Sequence, residues 1–116
     1  MFLSLKNLPQ IELVKGFHSK MIHAENLSVL HLTIEKGYEI SMHQHTNEQI
    51  TNILEGQLEM TVGGVTKICQ PGDVVVIPSN VPHSAKSITD CRVIDVFSPV
   101  RTDYKALSLS GSQVQK

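Results

Sequence analysis

The chain has 116 residues, of which 41% are hydrophobic and 18% are charged, and its formal net charge is −1 at pH 7. These values are typical of one globular domain, residues 1–116, with a buried core, and they exclude a largely disordered chain. A charge this close to zero, without a run of like charges, predicts that the protein binds neither nucleic acid nor a membrane surface.

Short segments with alternating apolar and polar residues follow one another along the chain and predict β-strands. The first, residues 11–23, alternates weakly and predicts an edge strand, either in this chain's own sheet or added to a partner. Clearer segments follow at residues 27–34, 38–45 and 49–56. No apolar run reaches the roughly 18 residues of a membrane span, and the N-terminus does not resemble a signal peptide, so we expect a cytoplasmic protein.

The middle of the chain contains the clearest hairpin. Leu58, Met60 and Val62 alternate with polar residues, as in a half-buried strand. The pair Gly63-Gly64 follows, and two glycines can adopt the positive φ angles of a two-residue hairpin turn. Residues 65–69 are therefore predicted to return as the second strand.

Two further strands complete the predicted sheet structure. Residues 74–78, VVVIP, form an apolar run that predicts a strand buried on both faces, and residues 91–100 predict the last strand. No segment has a convincing helical period, and the polar residues 108–116 predict a frayed tail. Many short antiparallel strands with tight turns indicate an all-β sandwich or barrel.

The segment HQHTNEQ, residues 43–49, indicates a metal site. His43 and His45 point to the same side of an extended chain, and two imidazoles on one side can bind a transition metal. His83, between a proline-rich turn and the next strand, is a third candidate. The same alternation favours Gln49 over Glu48 as a fourth ligand, although a turn at residues 46–47 would remove that argument and leave Glu48 as the alternative.

The remaining histidines and the cysteines are not predicted to take part in such a site. His18, His23 and His31 lack a partner at ligand spacing and are interpreted as polar residues of the surface or core. Cys69 and Cys91 are 22 positions apart and are interpreted as reduced, partly buried side chains.

A second candidate group lies in the last strand, in IDVFSPVR. Asp95 and Phe97 share one strand face, and Asp95 is flanked by apolar residues, where a carboxylate needs a partner or a function. In one interpretation, Asp95 forms an ion pair, Phe97 is a core residue and Arg101 is a surface charge. In the other, Asp95 is a general acid or base, Phe97 is an apolar wall and Arg101 binds a substrate carboxylate.

Two stretches resemble the two sequence motifs of the cupin superfamily, whose fold is a small double-stranded β-helix. The first is Gly37-YEISM-His43-Gln44-His45-TNE-Gln49-ITNILE-Gly56, and the second is Gly72-DVVVI-Pro78-Ser79-Asn80-VP-His83-SAK-Ser87. Asn80 replaces a glycine of the motif, and asparagine tolerates the left-handed backbone conformation. Gln49 replaces the glutamate, and the six-residue step to Gly56 supports this register.

A narrower resemblance, over most of residues 15–104, is to the pectin-degradation cupins that linearise unsaturated uronates. It implies a barrel over residues 15–104, a homodimer and a metal site of three histidines and one glutamine, at His43, His45, Gln49 and His83. It also implies catalysis by Asp95 and Arg101, with Phe97 and Arg101 contacting a carboxylated sugar. The expected reaction converts 4,5-unsaturated monouronates to linear keto sugars.

Two other functions are compatible with these residues. The implied cofactor is one divalent ion, which is Zn, Ni, Fe, Mn or Cu. An uncharged ligand set leaves the full charge on this ion, which favours polarisation of a substrate oxygen atom over reactions with molecular oxygen. An Fe(II)-dependent dioxygenase remains an alternative, and so does a metal-dependent sugar- or acid-binding cupin without enzymatic activity.

Overall fold

A computed structural model describes the backbone of residues 1–114 and the side chains of residues 1–108. A short 3₁₀ helix, Leu5–Asn7, precedes ten strands and one helix. These are β1 Ile11–Val14, β2 Phe17–His23, β3 Ser28–Ile34, β4 Glu39–His43, β5 Glu48–Glu55, β6 Leu58–Val62, β7 Val65–Cys69, β8 Val74–Ile77, β9 His83–Ser87, β10 Cys91–Ser98 and α1 Thr102–Val114.

The strands form two antiparallel sheets, which we call the large and the small sheet. The large sheet has the order β1-β2-β3-β10-β5-β8, and the small sheet has the order β4-β9-β6-β7. Strands that are distant in sequence are neighbours in both sheets, as in a jelly roll. The prediction of an all-β double-stranded β-helix is confirmed.

The inner faces of both sheets supply the core. Along β10 the burial alternates strictly, and Val93, Asp95 and Phe97 all face inward. This alternation follows from the two-residue period of a strand, so a side chain placed at residue 95 must enter the interior. The core is therefore mainly apolar but also contains buried polar and charged groups, among them His83, Asp95 and Arg101.

Several local predictions agree with the structure. Gly63 and Gly64 have φ angles of 55° and 83° and join β6 to β7 in a two-residue turn. Asn80 has a φ of 62°, which is the left-handed conformation expected where the cupin motif has glycine. Residues 11–23 form β1 and β2, and β1 is an edge strand of this chain's own large sheet. Both cysteines are free and buried.

Two predictions are wrong. Residues 102–114 form helix α1, whereas no helix was predicted. Residues 108–114, which were expected to be a frayed tail, are part of this helix. The last two residues of that predicted tail, 115–116, lie outside the described residues. Strand β8 is an edge strand rather than a doubly buried one, and Val74 and Val76 are exposed. Among the described residues, α1 and the 3₁₀ helix are both too short or too polar to cross a membrane.

The outer face of the large sheet carries a continuous line of apolar side chains. Strand register aligns one β-branched residue from each of five neighbouring strands. We call this line the outer apolar row, and it consists of Ile22, Val29, Val96, Ile50 and Val76. At the β8 end of the row, Ile50 and Val76 are exposed.

Candidate metal centre

Three histidines meet where β4 and β9 are paired. His43 ends β4, His83 begins β9, and the two residues are direct partners in the strand register. His45 lies two residues beyond the end of β4, in the connection to β5. One ring nitrogen from each histidine lies within 4.8 Å of the others, so the three side chains could hold one metal ion.

Backbone carbonyl groups orient all three imidazoles in the same way. Each Nδ1 lies at hydrogen-bond distance from a carbonyl oxygen, which can only accept, so Nδ1 carries the proton and Nε2 keeps its lone pair. A metal-binding histidine usually has such a second partner. The contacts are His43 to Ser41 at 2.8 Å, His45 to Asn47 at 3.0 Å and His83 to Val81 at 2.9 Å.

The Nε2 atom of His83 has no hydrogen-bond partner within the part of the chain that the structure describes, although it is buried, and His83 as a whole is only 3% exposed. A buried nitrogen without a hydrogen bond is costly in a folded protein. Burial also lowers the pKa of His83 and of His45, so the neutral rings, which are the metal-binding form, are favoured near pH 7. An ion at this position would satisfy His83, so the residues present fit a transition metal.

Gln49 faces this cluster, whereas Glu48 is exposed to solvent. Gln49 lies on β5, is 6% exposed, and its Oε1 is 3.1 Å from Nε2 of His45. Both atoms are acceptors when His45 is neutral, and two acceptors this close are expected where a cation binds both. Of the two candidates for the fourth ligand, only Gln49 points toward the histidines.

The connection between β4 and β5 is fixed at several points, which explains how His45 reaches the cluster after the chain has left β4. The side chain of Asn47 donates to the carbonyl oxygen of Pro99 at 2.6 Å. Ser79 Oγ donates to the carbonyl oxygen of Thr46 at 2.6 Å, and the Asn80 amide donates to that of His45 at 2.8 Å. The β4–β5 connection is therefore held by two elements. The β8–β9 loop contacts it on one side, and the segment after β10 contacts it on the other.

Asp95 lies in the interior beside this group. It is 8% exposed, and its Oδ1 accepts a hydrogen bond from Thr51 Oγ1 at 2.6 Å. Burial raises the pKa of Asp95 to about 6, and the hydrogen bonds from the side chains of Thr51 and Gln49 and the positive charge of Arg101 act in the opposite direction. A carboxyl group with this pKa can both hold and release a proton near neutral pH.

Arg101 follows β10 and is 6% exposed. Its Nε and one terminal nitrogen donate to the two carboxylate oxygens of Asp103, at 3.0 and 2.8 Å. The guanidinium carbon lies 3.7 Å from the ring centre of Tyr104 and 4.8 Å from that of Phe97. Asp103 occupies two of the five N–H groups of the guanidinium, so the others remain for Tyr104 and for a further acceptor.

Most of these groups line one cavity inside the barrel that is open to solvent. Its walls are mostly apolar, and its polar groups are concentrated near the histidines. This is the usual composition of a site for a small molecule. The polar and aromatic lining residues are His43, Gln49, Thr51, His83, Ser84, Asp95, Phe97, Arg101 and Tyr104.

Three residues of this region were not predicted from the sequence. Thr51 joins Asp95 to Gln49, and two residues at the start of α1, Asp103 and Tyr104, hold Arg101. The alternation of β5 could have indicated Thr51, which shares a strand face with Gln49. Asp103 and Tyr104 gave no such signal, because the helix that carries them was not predicted.

The other histidines lie outside the cluster, as predicted. His18 is 2.7 Å from a carboxylate oxygen of Glu35 and 4.0 Å from one of Glu12, both on exposed side chains. His23 Nδ1 lies 2.7 Å from Ser28 Oγ, and this same oxygen accepts the backbone N–H of Arg101 at 2.9 Å. His23 thus belongs to the packing around α1.

Comparison with known proteins identifies two relatives whose names state a role. The pectin degradation protein KdgF of Dickeya dadantii is 30% identical over 99 residues, which cover 83% of this chain and 90% of that protein. The H2HPP isomerase of Bacillus subtilis is 41% identical over 58 residues, but this match spans 49% of the chain and only 25% of the isomerase.

The solved structures agree with these sequence matches. The structure of KdgF from a Halomonas species superimposes with a TM-score of 0.84 at 28% identity, and the match covers 90% of this chain and 97% of that one. The family model for the cupin domain matches residues 30–97, which include the three clustered histidines, Gln49, Thr51, Asp95 and Phe97. The chain therefore belongs to the cupin domain family and resembles its small members of the KdgF type.

Proposed function

We propose that this protein is a metal-dependent cupin enzyme that converts 4,5-unsaturated monouronates to linear keto sugars. The observation that carries the proposal is the presence of a carboxyl group and an arginine, Asp95 and Arg101, in the same cavity as the histidine cluster. Similarity to KdgF, a protein named for pectin degradation, along most of both chains supports the same substrate class.

In this proposal, His43, His45, Gln49 and His83 hold one divalent transition metal ion, which is Zn, Ni, Fe, Mn or Cu. Imidazole and amide oxygen are uncharged ligands, so they do not offset the charge of the ion. A bound ion would supply a Lewis acid that polarises a substrate oxygen.

Arg101 would bind the carboxylate of the uronate. Its guanidinium has three N–H groups that Asp103 does not use, and two parallel N–H groups suit a carboxylate. Phe97 and Tyr104 flank the guanidinium and would form an apolar wall beside the sugar ring. A guanidinium held in place before binding loses less conformational freedom when the substrate arrives.

Asp95 would transfer the proton during ring opening. Its Oδ1 is occupied by Thr51, so Oδ2 is the oxygen that would exchange a proton with the substrate. With a pKa of about 6, the carboxyl group is mostly ionised at pH 7 and can accept a proton and return it without a large energetic cost.

The test follows the ultraviolet absorbance of an unsaturated monouronate, prepared with a pectate or alginate lyase. The metal-loaded protein is expected to accelerate the loss of the conjugated-acid signal, and the metal-stripped protein and the Asp95→Asn variant are expected not to. Glu39→Gln, a change of an exposed carboxylate on β4, is the matched control and should retain full activity. An Asp95→Asn variant with the wild-type rate would contradict the role of Asp95.

If metal-loaded wild-type protein gives no acceleration, the uronate proposal is wrong and the two alternatives become the next experiments. Oxygen consumption by Fe(II)-loaded protein would identify a dioxygenase. Metal-dependent binding of sugar acids without turnover would identify a binding protein.

We also propose that the protein is a cytoplasmic homodimer. The outer apolar row supports a second copy as the occupant of the large sheet's outer face, because a line of β-branched side chains across five strands ends in two exposed residues, Ile50 and Val76. Val76→Lys places a charge at the exposed end of the row. Light scattering should give the mass of a dimer for the wild type and of a monomer for this variant, and a monomeric wild type would refute the proposal.

A further inference from the structure

Thr51 is buried between two groups to which the proposed function gives different roles. Its side chain is 1% exposed, so its hydroxyl group must find its partners inside the protein. One neighbour is Asp95 Oδ1 at 2.6 Å, and the other is Gln49 Nε2 at 2.9 Å. Thr51 thus connects the carboxyl group of the cavity to a candidate metal ligand.

The direction of these hydrogen bonds follows from the chemistry of the groups. The amide nitrogen of Gln49 can only donate, so Thr51 Oγ1 accepts from it. The single hydroxyl proton of Thr51 is then free to be donated to the carboxylate of Asp95. This arrangement uses the donor and the acceptor capacity of the hydroxyl and leaves neither unsatisfied.

The hydrogen bond from Gln49 Nε2 to Thr51 also determines where the other amide atom, Oε1, points. An amide side chain has two nearly equivalent orientations, and only one directs oxygen toward the histidines. Because Nε2 is bound by Thr51, Oε1 must face His45, from whose Nε2 it lies 3.1 Å. The opposite orientation would direct an N–H group at the place where a cation binds and would leave Thr51 without its donor.

We propose that Thr51 is a positioning residue for metal binding, which acts by fixing the orientation of the Gln49 amide so that its oxygen is presented to the ion. The inference rests on the metal site of the proposed function but not on the uronate reaction. A residue that orients a ligand in this way typically contributes about 10-fold to 100-fold to metal affinity.

The experiment measures metal affinity by competition with a chromophoric chelator, so it needs no substrate. Thr51→Val, which has nearly the same shape but no hydroxyl group, is expected to bind Zn²⁺ or Co²⁺ at least about 10-fold more weakly than the wild type. Thr51→Ser retains the hydroxyl group and should bind nearly as tightly as the wild type.

A double-mutant cycle tests whether Thr51 acts through Gln49. In a Gln49→Ala background, replacing Thr51 by valine should have no further effect on affinity. An equal loss in both backgrounds would overturn the inference, and so would wild-type affinity in Thr51→Val. Thr51→Ala provides a second variant without the hydroxyl group if valine prevents folding, which is checked by circular dichroism of the metal-free proteins.

The outcomes for the two proposals are separate. A wild-type protein that binds neither metal ion overturns both the metal site and the role of Thr51. A wild-type protein that binds metal, together with a Thr51→Val variant of equal affinity, overturns the role of Thr51 alone. The Co²⁺ complex adds a second measurement, because loss of the amide oxygen ligand should change its visible absorption spectrum.

Discussion

Folding changes the pKa of Asp95 more clearly than that of any other described residue. Its pKa rises from 3.8 to about 6 because the carboxyl group is buried. A folded-state pKa above the unfolded value means that the folded protein binds the proton more tightly. The corresponding stabilisation is complete below about pH 4 and is lost as the pH rises through about 6, and its size is on the order of 3 kcal/mol.

This linkage predicts how Asp95→Asn affects stability. Above pH 7 the metal-free variant should have a free energy of unfolding about 1–3 kcal/mol higher than the wild type, because it avoids a buried charge. The advantage should disappear below about pH 4, where the wild-type carboxyl group is protonated. Urea denaturation followed by circular dichroism measures this difference, since the chain has no tryptophan for fluorescence. A difference that does not vary with pH would contradict the assignment.

Asp103 is expected to affect substrate binding through Arg101. It is bonded to two nitrogens of the guanidinium but is itself largely exposed, so water weakens the pair and its contribution is modest. Asp103→Ala should raise KM by about 3-fold to 10-fold and change kcat much less, because Arg101 would lose a fixed orientation but keep its charge. Glu25→Ala, another exposed carboxylate, is the control. A selective fall in kcat would indicate a different role.

At the level of single residues, the sequence predicted the site through the alternation of strands. Gln49 was favoured over Glu48 by strand parity and motif register, and the structure buries the first and exposes the second. The chain bends at residues 46–47, between His45 and Gln49, so parity alone could not have shown that Gln49 lies on the side of the two histidines. The parity of β5 places Thr51 on the same face as Gln49, but its hydrogen bond to Asp95 is a tertiary contact that a single sequence does not contain. The contact between Asp103 and Arg101 depends on a helix that was not predicted.

Among the structural elements, the turn after β5 is constrained by more than its backbone angle. Gly56 has a φ of 85°, and a Cβ atom at this position would overlap the backbone oxygen of Asp90 and come within 2.9 Å of Cys91 Sγ. Gly64, in the β6–β7 turn, has nearly the same φ of 83° but open space around it. A Cβ atom at Gly64 would therefore introduce backbone strain alone, whereas a Cβ atom at Gly56 would introduce both backbone strain and steric overlap.

Alanine substitutions at Gly64 and Gly56 are expected to differ in their effect on stability. Gly64→Ala should lower the free energy of unfolding by about 1–2 kcal/mol, the cost of a left-handed backbone for an ordinary residue. Gly56→Ala should cost at least about 2 kcal/mol more, because the backbone of residue 90 cannot move aside without disturbing the start of β10. Urea denaturation of both variants tests this, and equal losses would show that Gly56 is needed only for its φ angle.

The errors at this level have physical causes. Residues 108–113 are rich in serine and contain Gly111, which weakens a helical signal, and α1 is instead supported by packing against β1 and β2. The run VVVI of β8 is compatible both with a strand buried on both faces and with an edge strand that has an apolar outer face. Burial depends on the neighbours that β8 has, and these are determined by the whole fold.

The whole molecule should become more stable when metal binds, since unfolding separates the ligands. At a metal concentration about 100 times Kd, the stabilisation is about 2.7 kcal/mol, or roughly 10 °C in melting temperature for a chain of this size. His83→Gln should abolish this rise. His31→Gln, on the outer face of the large sheet, should retain it. A full rise in the His83 variant would place the bound ion elsewhere.

The candidate ligands are divided between the two sheets: His43 and His83 belong to the small sheet, and Gln49 belongs to the large one. An ion held by all of them would join the two halves of the barrel, much as a disulfide bond joins distant strands in a secreted protein. Opening of the barrel would then require the ion to leave. We therefore expect metal supply to set how long each molecule survives in the presence of proteases, so that a cell short of metal would clear the unloaded protein first.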